Sequence, residues 1–149
     1  MKSLIKIIFI LAIIGQSCKK SAVNSAKISL FNGTFKAKEV KEGTAVVFRQ
    51  DATNNIIPGY SKYRITFTVL STGRRNVKII EYSGEVFEGT WGFDEATNIL
   101  TFSNLSPKPA AGNLVFNVTT IEQGLLVLVN NAPNPKTGNT LNQYTLIPE

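Results

Sequence analysis

Lys62-Tyr-Arg-Ile-Thr-Phe-Thr-Val-Leu70 reads with a period of two from end to end. Tyr63, Ile65, Phe67 and Val69 alternate with Lys62, Arg64, Thr66 and Thr68, so a strand here buries one face and wets the other. Val86 to Phe93 repeats the pattern, with Phe87, Trp91 and Phe93 on one side and Glu88 and Thr90 on the other. Gly89 falls on the apolar side, where a missing side chain marks a bend or a bulge.

Outward from these two segments, Ile99 to Ser103, Leu114 to Thr120 and Leu141 to Ile147 carry the same alternation. Gly124 to Asn130 holds the unbroken run Leu125-Leu-Val-Leu-Val129, the pattern expected of a strand buried on both faces. Ile28 to Phe31, Thr34 to Val40 and Thr44 to Arg49 bring the total to about nine strands, and no segment beyond residue 27 sustains a helical period. Ser71-Thr-Gly73, Ser83-Gly84, Asp94 to Asn98 and Gln123-Gly124 are short turn sequences that join antiparallel neighbours. Asp51 to Gly59, Ser103 to Gly112 and Asn130 to Asn139 are longer, and long loops on rigid β scaffolds are where binding resides. The expected fold is all-β: an antiparallel meander closed into an up-and-down β-barrel of about 8–9 strands, since closure removes exposed edges. A two-sheet β-sandwich is the alternative arrangement of the same strands.

The N-terminal segment reads as an export signal. Met1-Lys-Ser-Leu-Ile-Lys6 is basic, and Ile7 to Ile14 are eight uninterrupted apolar residues. As helix that run spans about 12 Å, against roughly 30 Å of bilayer hydrocarbon, so it is too short to cross. Gly15-Gln16-Ser17-Cys18 follows and resembles the bacterial lipobox, with Gly15 standing where a Leu is usual. That resemblance implies a signal peptide at residues 1–17, a diacylglyceryl group on the thiol of Cys18, and a short tether over residues 18–27 ahead of the domain at 28–149. The acyl chains implied at Cys18 (palmitate-type) would make the membrane anchorage effectively permanent. Lys19 and Lys20 directly after the cysteine resemble the pattern that sends lipoproteins to the outer membrane, facing the periplasm. A secretory signal cut before Ser17 is the rival reading of the same residues.

The net charge of +6 is largely a property of that leader. Five of the 16 basic residues (Lys2, Lys6, Lys19, Lys20 and Lys27) precede residue 28, which leaves eleven against all ten acidic ones in the domain. The remaining bases are dispersed, so no electrostatic footprint for nucleic acid is expected. Cys18 is the only cysteine, so the fold is expected to stand on its apolar core without a disulfide.

The chain has no histidine, which removes Ser-His-Asp and Cys-His catalysis and imidazole metal sites. Glu81, Glu85 and Glu88 flank one hairpin, where solvated charge is the favoured reading over a glycosidase-like carboxylate pair. Asp94 and Glu95 read as turn residues rather than calcium ligands. No enzyme, cofactor or metal is therefore expected. Phe67, Phe87, Trp91, Phe93, Phe102 and Phe116 are the candidate ligand-binding residues, since they could line a cavity, although aromatics at strand spacing also serve as core.

Asn32-Gly33-Thr34-Phe35 at the head of a long strand resembles the Gly-x-Trp opening of lipocalin-type barrels, with Phe in place of Trp. Gly89 to Phe102 resembles a middle hairpin of the lipocalin-like domains carried by small Gram-negative lipoproteins, and Asn142 to Ile147 fits their last strand. The resemblance implies an eight-stranded barrel with a ligand cavity or a packed interior. The expected function is a lipid-anchored envelope module that binds a small apolar or amphipathic ligand or an envelope protein. The alternative is a non-catalytic accessory lipoprotein with a filled interior.

Overall fold

The computed structural model describes residues 26–110 and 112–149. The segments read as a signal peptide at 1–17 and as a tether from Cys18 up to residue 25, with Lys19 and Lys20, lie outside the described residues.

The chain is all-β. Nine strands run β1 (Gly33–Glu42), β2 (Ala45–Arg49), β3 (Arg64–Val69), β4 (Arg75–Ile80), β5 (Val86–Asp94), β6 (Ile99–Ser106), β7 (Leu114–Glu122), β8 (Leu125–Asn130) and β9 (Asn142–Pro148). Each strand from β3 to β9 pairs antiparallel with the next, β1 pairs with β3, and β9 returns to β1. Eight strands therefore close an up-and-down barrel, the architecture of lipocalin-type folds, and the sandwich alternative falls away. β2 is the extra strand. It lies beside the second half of β1, where Glu39 faces Arg49 and Val40 faces Phe48.

The inward residues follow the period read from the sequence. Ile65 and Phe67, Phe87, Trp91 and Phe93, Leu100 and Phe102, Phe116 and Val118, Leu126 and Leu128, and Tyr144 and Leu146 are all buried in one core cluster. Gly89 marks an irregularity in the β5–β6 register, between Glu88 and Thr90. A Cβ on Gly89 would lie 2.5 Å from the Ser103 carbonyl oxygen, so the bulged strand can approach only a glycine there.

Three strand readings change. Ile28 to Phe31 is not a strand: a short helix α1 (Ala26–Ser29) is followed by turns in which Phe31 N–H donates to the Ile28 carbonyl at 3.2 Å. Phe31 is fully buried, its ring 5.2 Å from Phe67, 5.2 Å from Trp91 and 5.0 Å from Phe93, so this segment plugs the barrel instead of extending the sheet. Arg75 to Ile80 is a strand that the turns on either side only frame. Its alternation is short, with Val77 and Ile79 inward and Lys78 exposed. β8 is buried on one face only, because a single-layered barrel has nothing to cover its outside. Leu125, Val127 and Val129 are half-covered by outward neighbours such as Thr120 and Thr145, which flank Val127.

Candidate functional site

The six candidate aromatics are all buried, and four of them meet ring to ring. Phe67 lies 5.3 Å from Trp91 and 5.8 Å from Phe102, and Phe102 lies 5.5 Å from Phe116. Phe31 joins Phe93 to this set, and Phe87 completes the same core. Ring-to-ring contact at these distances is the packing of a filled interior. Arg75 covers the Trp91 ring at 5.2 Å, while the buried Trp91 Nε1 has no acceptor among the described residues.

At the opposite end, the mouth, the interior turns polar. A short 3-10 helix (Pro58–Lys62) brings Tyr60 over the opening. Tyr63 stacks on Tyr144 at 5.2 Å with 14° between the planes, and Tyr60 lies 4.9 Å from Tyr82. Tyr60 Oη donates to Glu42 Oε1 at 3.4 Å. Burial pushes the Tyr144 hydroxyl up to about 12, and burial likewise holds Tyr60 and Tyr63 well above the usual phenol range. Glu81 lies close enough to raise all three. Its own carboxyl is raised by burial, with Lys136 acting against that rise and Glu85 adding to it. Glu81 thus departs from the solvated reading, whereas Glu85 and Glu88 are exposed as expected. Asn142 is fully buried beside this cluster and its Oδ1 accepts from Thr137 Oγ1 at 2.9 Å. Its Nδ2 closes no hydrogen bond among the described residues, though the side chain lies near enough to the Tyr144 hydroxyl to pull that phenol's pKa back down.

The barrel wall also opens sideways. β1 changes neighbour along its length: Gly33 to Lys36 face β3, and Glu39 to Glu42 face β2. Where β2 and β3 part, the chain crosses by the Asp51 to Gly59 segment, and a cleft of about 740 Å³ lies beneath it. Asn55 laces that segment down: its Oδ1 accepts from Arg49 N–H at 2.7 Å and its Nδ2 donates to the Ala52 carbonyl at 3.2 Å. Ile57 N–H donates to the Val47 carbonyl at 2.9 Å. Pro58 and the edges of the buried Ala37 and Phe48 give the cleft a little apolar surface, Ile56 stands on its rim 72% exposed, and Lys36, Gln50, Asn54, Ser61 and Arg64 supply polar groups. The loop was marked by its length as a place for binding, and the aromatics proposed for the ligand do not line this cleft. Lys36, Ala37, Phe48 and Arg64 were missed because each reads as an ordinary strand residue. Only the three-dimensional change of partner on β1 exposes them.

A shallower hollow of about 520 Å³ lies on the outer face of the β5–β6 hairpin around Gly92. Asp94 beside it is a turn residue, with Oδ1 accepting from Ala96 N–H at 3.0 Å and Oδ2 from Thr97 Oγ1 at 2.8 Å. Those bonds lower its pKa, the Thr97 hydroxyl most of all.

No family model matches the chain, and no curated protein matches it. The chain is similar to a solved structure of an uncharacterized protein from Bacteroides eggerthii, at 13% identity and a TM-score of 0.49, over 80% of this chain and 99% of that one. It is also similar to a lipocalin-like protein from Bacteroides uniformis, at 10% identity and a TM-score of 0.48, with the same coverage.

Proposed function

We propose that this chain is a binding protein, held to the cell envelope by lipid on Cys18, that takes a small amphipathic ligand in the lateral cleft rather than along the barrel axis. The observation that carries this reading is the split wall. The axis is filled by rings in contact, while the change of partner on β1 leaves about 740 Å³ of mixed apolar and polar surface open from the side. That volume lies within the roughly 300–1,000 Å³ of small-molecule sites. Binding is favoured over catalysis by the chain's lack of histidine. The apolar run Ile7 to Ile14 and the lipobox-like Gly15 to Cys18 support the anchor and an envelope location.

Trp91 tests where the ligand sits, because it is the only tryptophan, is buried in the axial stack and does not line the cleft. A cleft ligand at a hundredfold excess over its Kd should add about 2.7 kcal/mol of stability and leave Trp91 emission unchanged. Ile56→Ser, at an exposed rim position, should weaken that stabilisation. A shift in Trp91 emission with no effect of Ile56→Ser would move the ligand into the barrel. No stabilisation by any of a panel of amphiphiles would favour a filled, accessory barrel. For the anchor, Cys18→Ser should abolish incorporation of labelled fatty acid, and equal label on both proteins would remove the lipid from this reading.

A further inference from the structure

We infer that the cleft selects an amphiphile with one anionic group, a carboxylate or a phosphate ester, and that Glu149 competes with that group for Arg64. The inference rests on the cleft reading and concerns its charge. Two cations line the cleft and no carboxylate does. They stand directly across the β1–β3 ladder from each other, Lys36 opposite Arg64. Like charges facing across a ladder repel, so the pair is stabilised by any anion that reaches both.

Arg64 is prepared for that contact. Its Nη1 donates to the carbonyls of Ser61 at 2.8 Å and Tyr63 at 3.0 Å, which fixes the plane of the guanidinium. Its Nε donates to Glu149 Oε1 at 2.8 Å, and its Nη2 has no hydrogen-bond partner among the described residues. A planar fork with an unused nitrogen is the donor set that oxyanions take best. Elsewhere on this part of the wall Arg49 pairs with Glu39 at 2.7 Å and Lys41 with the same carboxylate at 3.4 Å, outside the cleft lining. Lys36 makes no ion pair among the described residues, and Arg64 pairs only through its Nε with Glu149. Glu149 approaches from outside the cleft and is half-exposed, so it satisfies Arg64 without filling the space. The apolar body of the ligand would lie against Ala37, Phe48 and Pro58, with Ile56 closing over it.

The experiment compares octanoate, octyl phosphate and octyl glucoside, which share a tail and differ in head group, by calorimetry against the full domain. Both anions should bind more tightly than the glucoside, and the stronger of the two names the head-group chemistry. Lys36→Gln should erase the advantage of the anions and Lys36→Arg should restore it, with circular dichroism reporting that each variant folds. Glu149→Gln should tighten anion binding by about twofold to tenfold and leave the glucoside unchanged. Equal affinity for all three probes, unaffected by Lys36→Gln but weakened by Ile56→Ser, would overturn the anion inference while the cleft reading stands. Absence of binding by all three would remove both.

Discussion

The two ends of the barrel solve the closing of an open cylinder by different means. At the floor, Phe31 enters from the N-terminal side and is held by Phe67, Trp91 and Phe93, a contact made of rings alone. At the mouth, Tyr60, Tyr63 and Tyr144 share the space with Glu42, Glu81 and Asn142, and hydrogen bonds carry part of the closure. Ring packing depends on shape and is indifferent to pH. The mouth depends on which of its groups are protonated, because burial penalises every charge placed there. One end is therefore a fixed plug, and the other is expected to respond to pH.

Removing the plug is the strongest way to test that contrast. Phe31→Ala should cost about 3–5 kcal/mol, the transfer term plus a cavity that three rigid rings cannot collapse to fill. For a domain of this size that lowers Tm by on the order of 15 °C. Chemical denaturation at two pH values should give the same loss at both. A loss under about 1 kcal/mol would mean that the floor is not sealed by Phe31.

Phe31 is also where the sequence was least legible. Ile28 to Phe31 has an apolar pattern that suits a strand, and nothing in four residues distinguishes a strand from a helical turn that lays one ring across a barrel. The opposite error occurred at Arg75 to Ile80, where Val77 and Ile79 alternate with Asn76 and Lys78 over too few residues to stand out beside two arginines. The long alternations of β3 and β5 were readable because each has three or more apolar side chains on one face, and the bulge at Gly89 was readable because glycine interrupts that face. The cleft was not readable, since it arises from β1 serving two neighbours in turn. Ala37 and Phe48 look like core from the sequence and are core, each 4% exposed, and the parting of β2 and β3 only leaves their edges at the base of the cleft.

At the mouth the next effect in size belongs to Asn142. Its Oδ1 accepts from Thr137 and Thr140, so it ties the β8–β9 loop to the barrel from a fully buried position. Asn142→Ala should cost about 1 kcal/mol, because Thr137 and Thr140 lose the side-chain acceptor they share and keep only the Asn134 and Thr137 carbonyls. Hydrogen exchange should localise the loss, with faster exchange at Asn134 and Asn139, whose amides are bonded within that loop. Exchange that rises equally at the floor would instead make Asn142 a contributor to global stability, and the two ends would no longer be separable.

The smallest effect, and the one that isolates protonation, is at Glu81. Burial raises its folded-state pKa, Glu85 raises it further, and Lys136 together with the Tyr82 N–H only partly opposes the rise. A carboxyl that holds its proton more tightly when folded makes the folded state bind more protons than the unfolded state between the two pKa values. Stability must then fall as pH rises from the ordinary glutamate range through the raised folded value, and below that range the penalty vanishes. Glu81→Gln keeps the shape and removes the charge. The variant should match the parent at low pH and exceed it at neutral pH, by less than the loss at Asn142. Lys136→Gln should act in the other direction at neutral pH, because it deletes the cation that offsets the buried carboxylate. Phe31→Ala combined with Glu81→Gln should show the two effects adding, since the sites lie at opposite ends of the barrel. Stability curves against pH that stay parallel for Glu81→Gln and the parent would show that Glu81 is solvated in the folded state, and the mouth would lose its claim to differ from the floor in its response to pH.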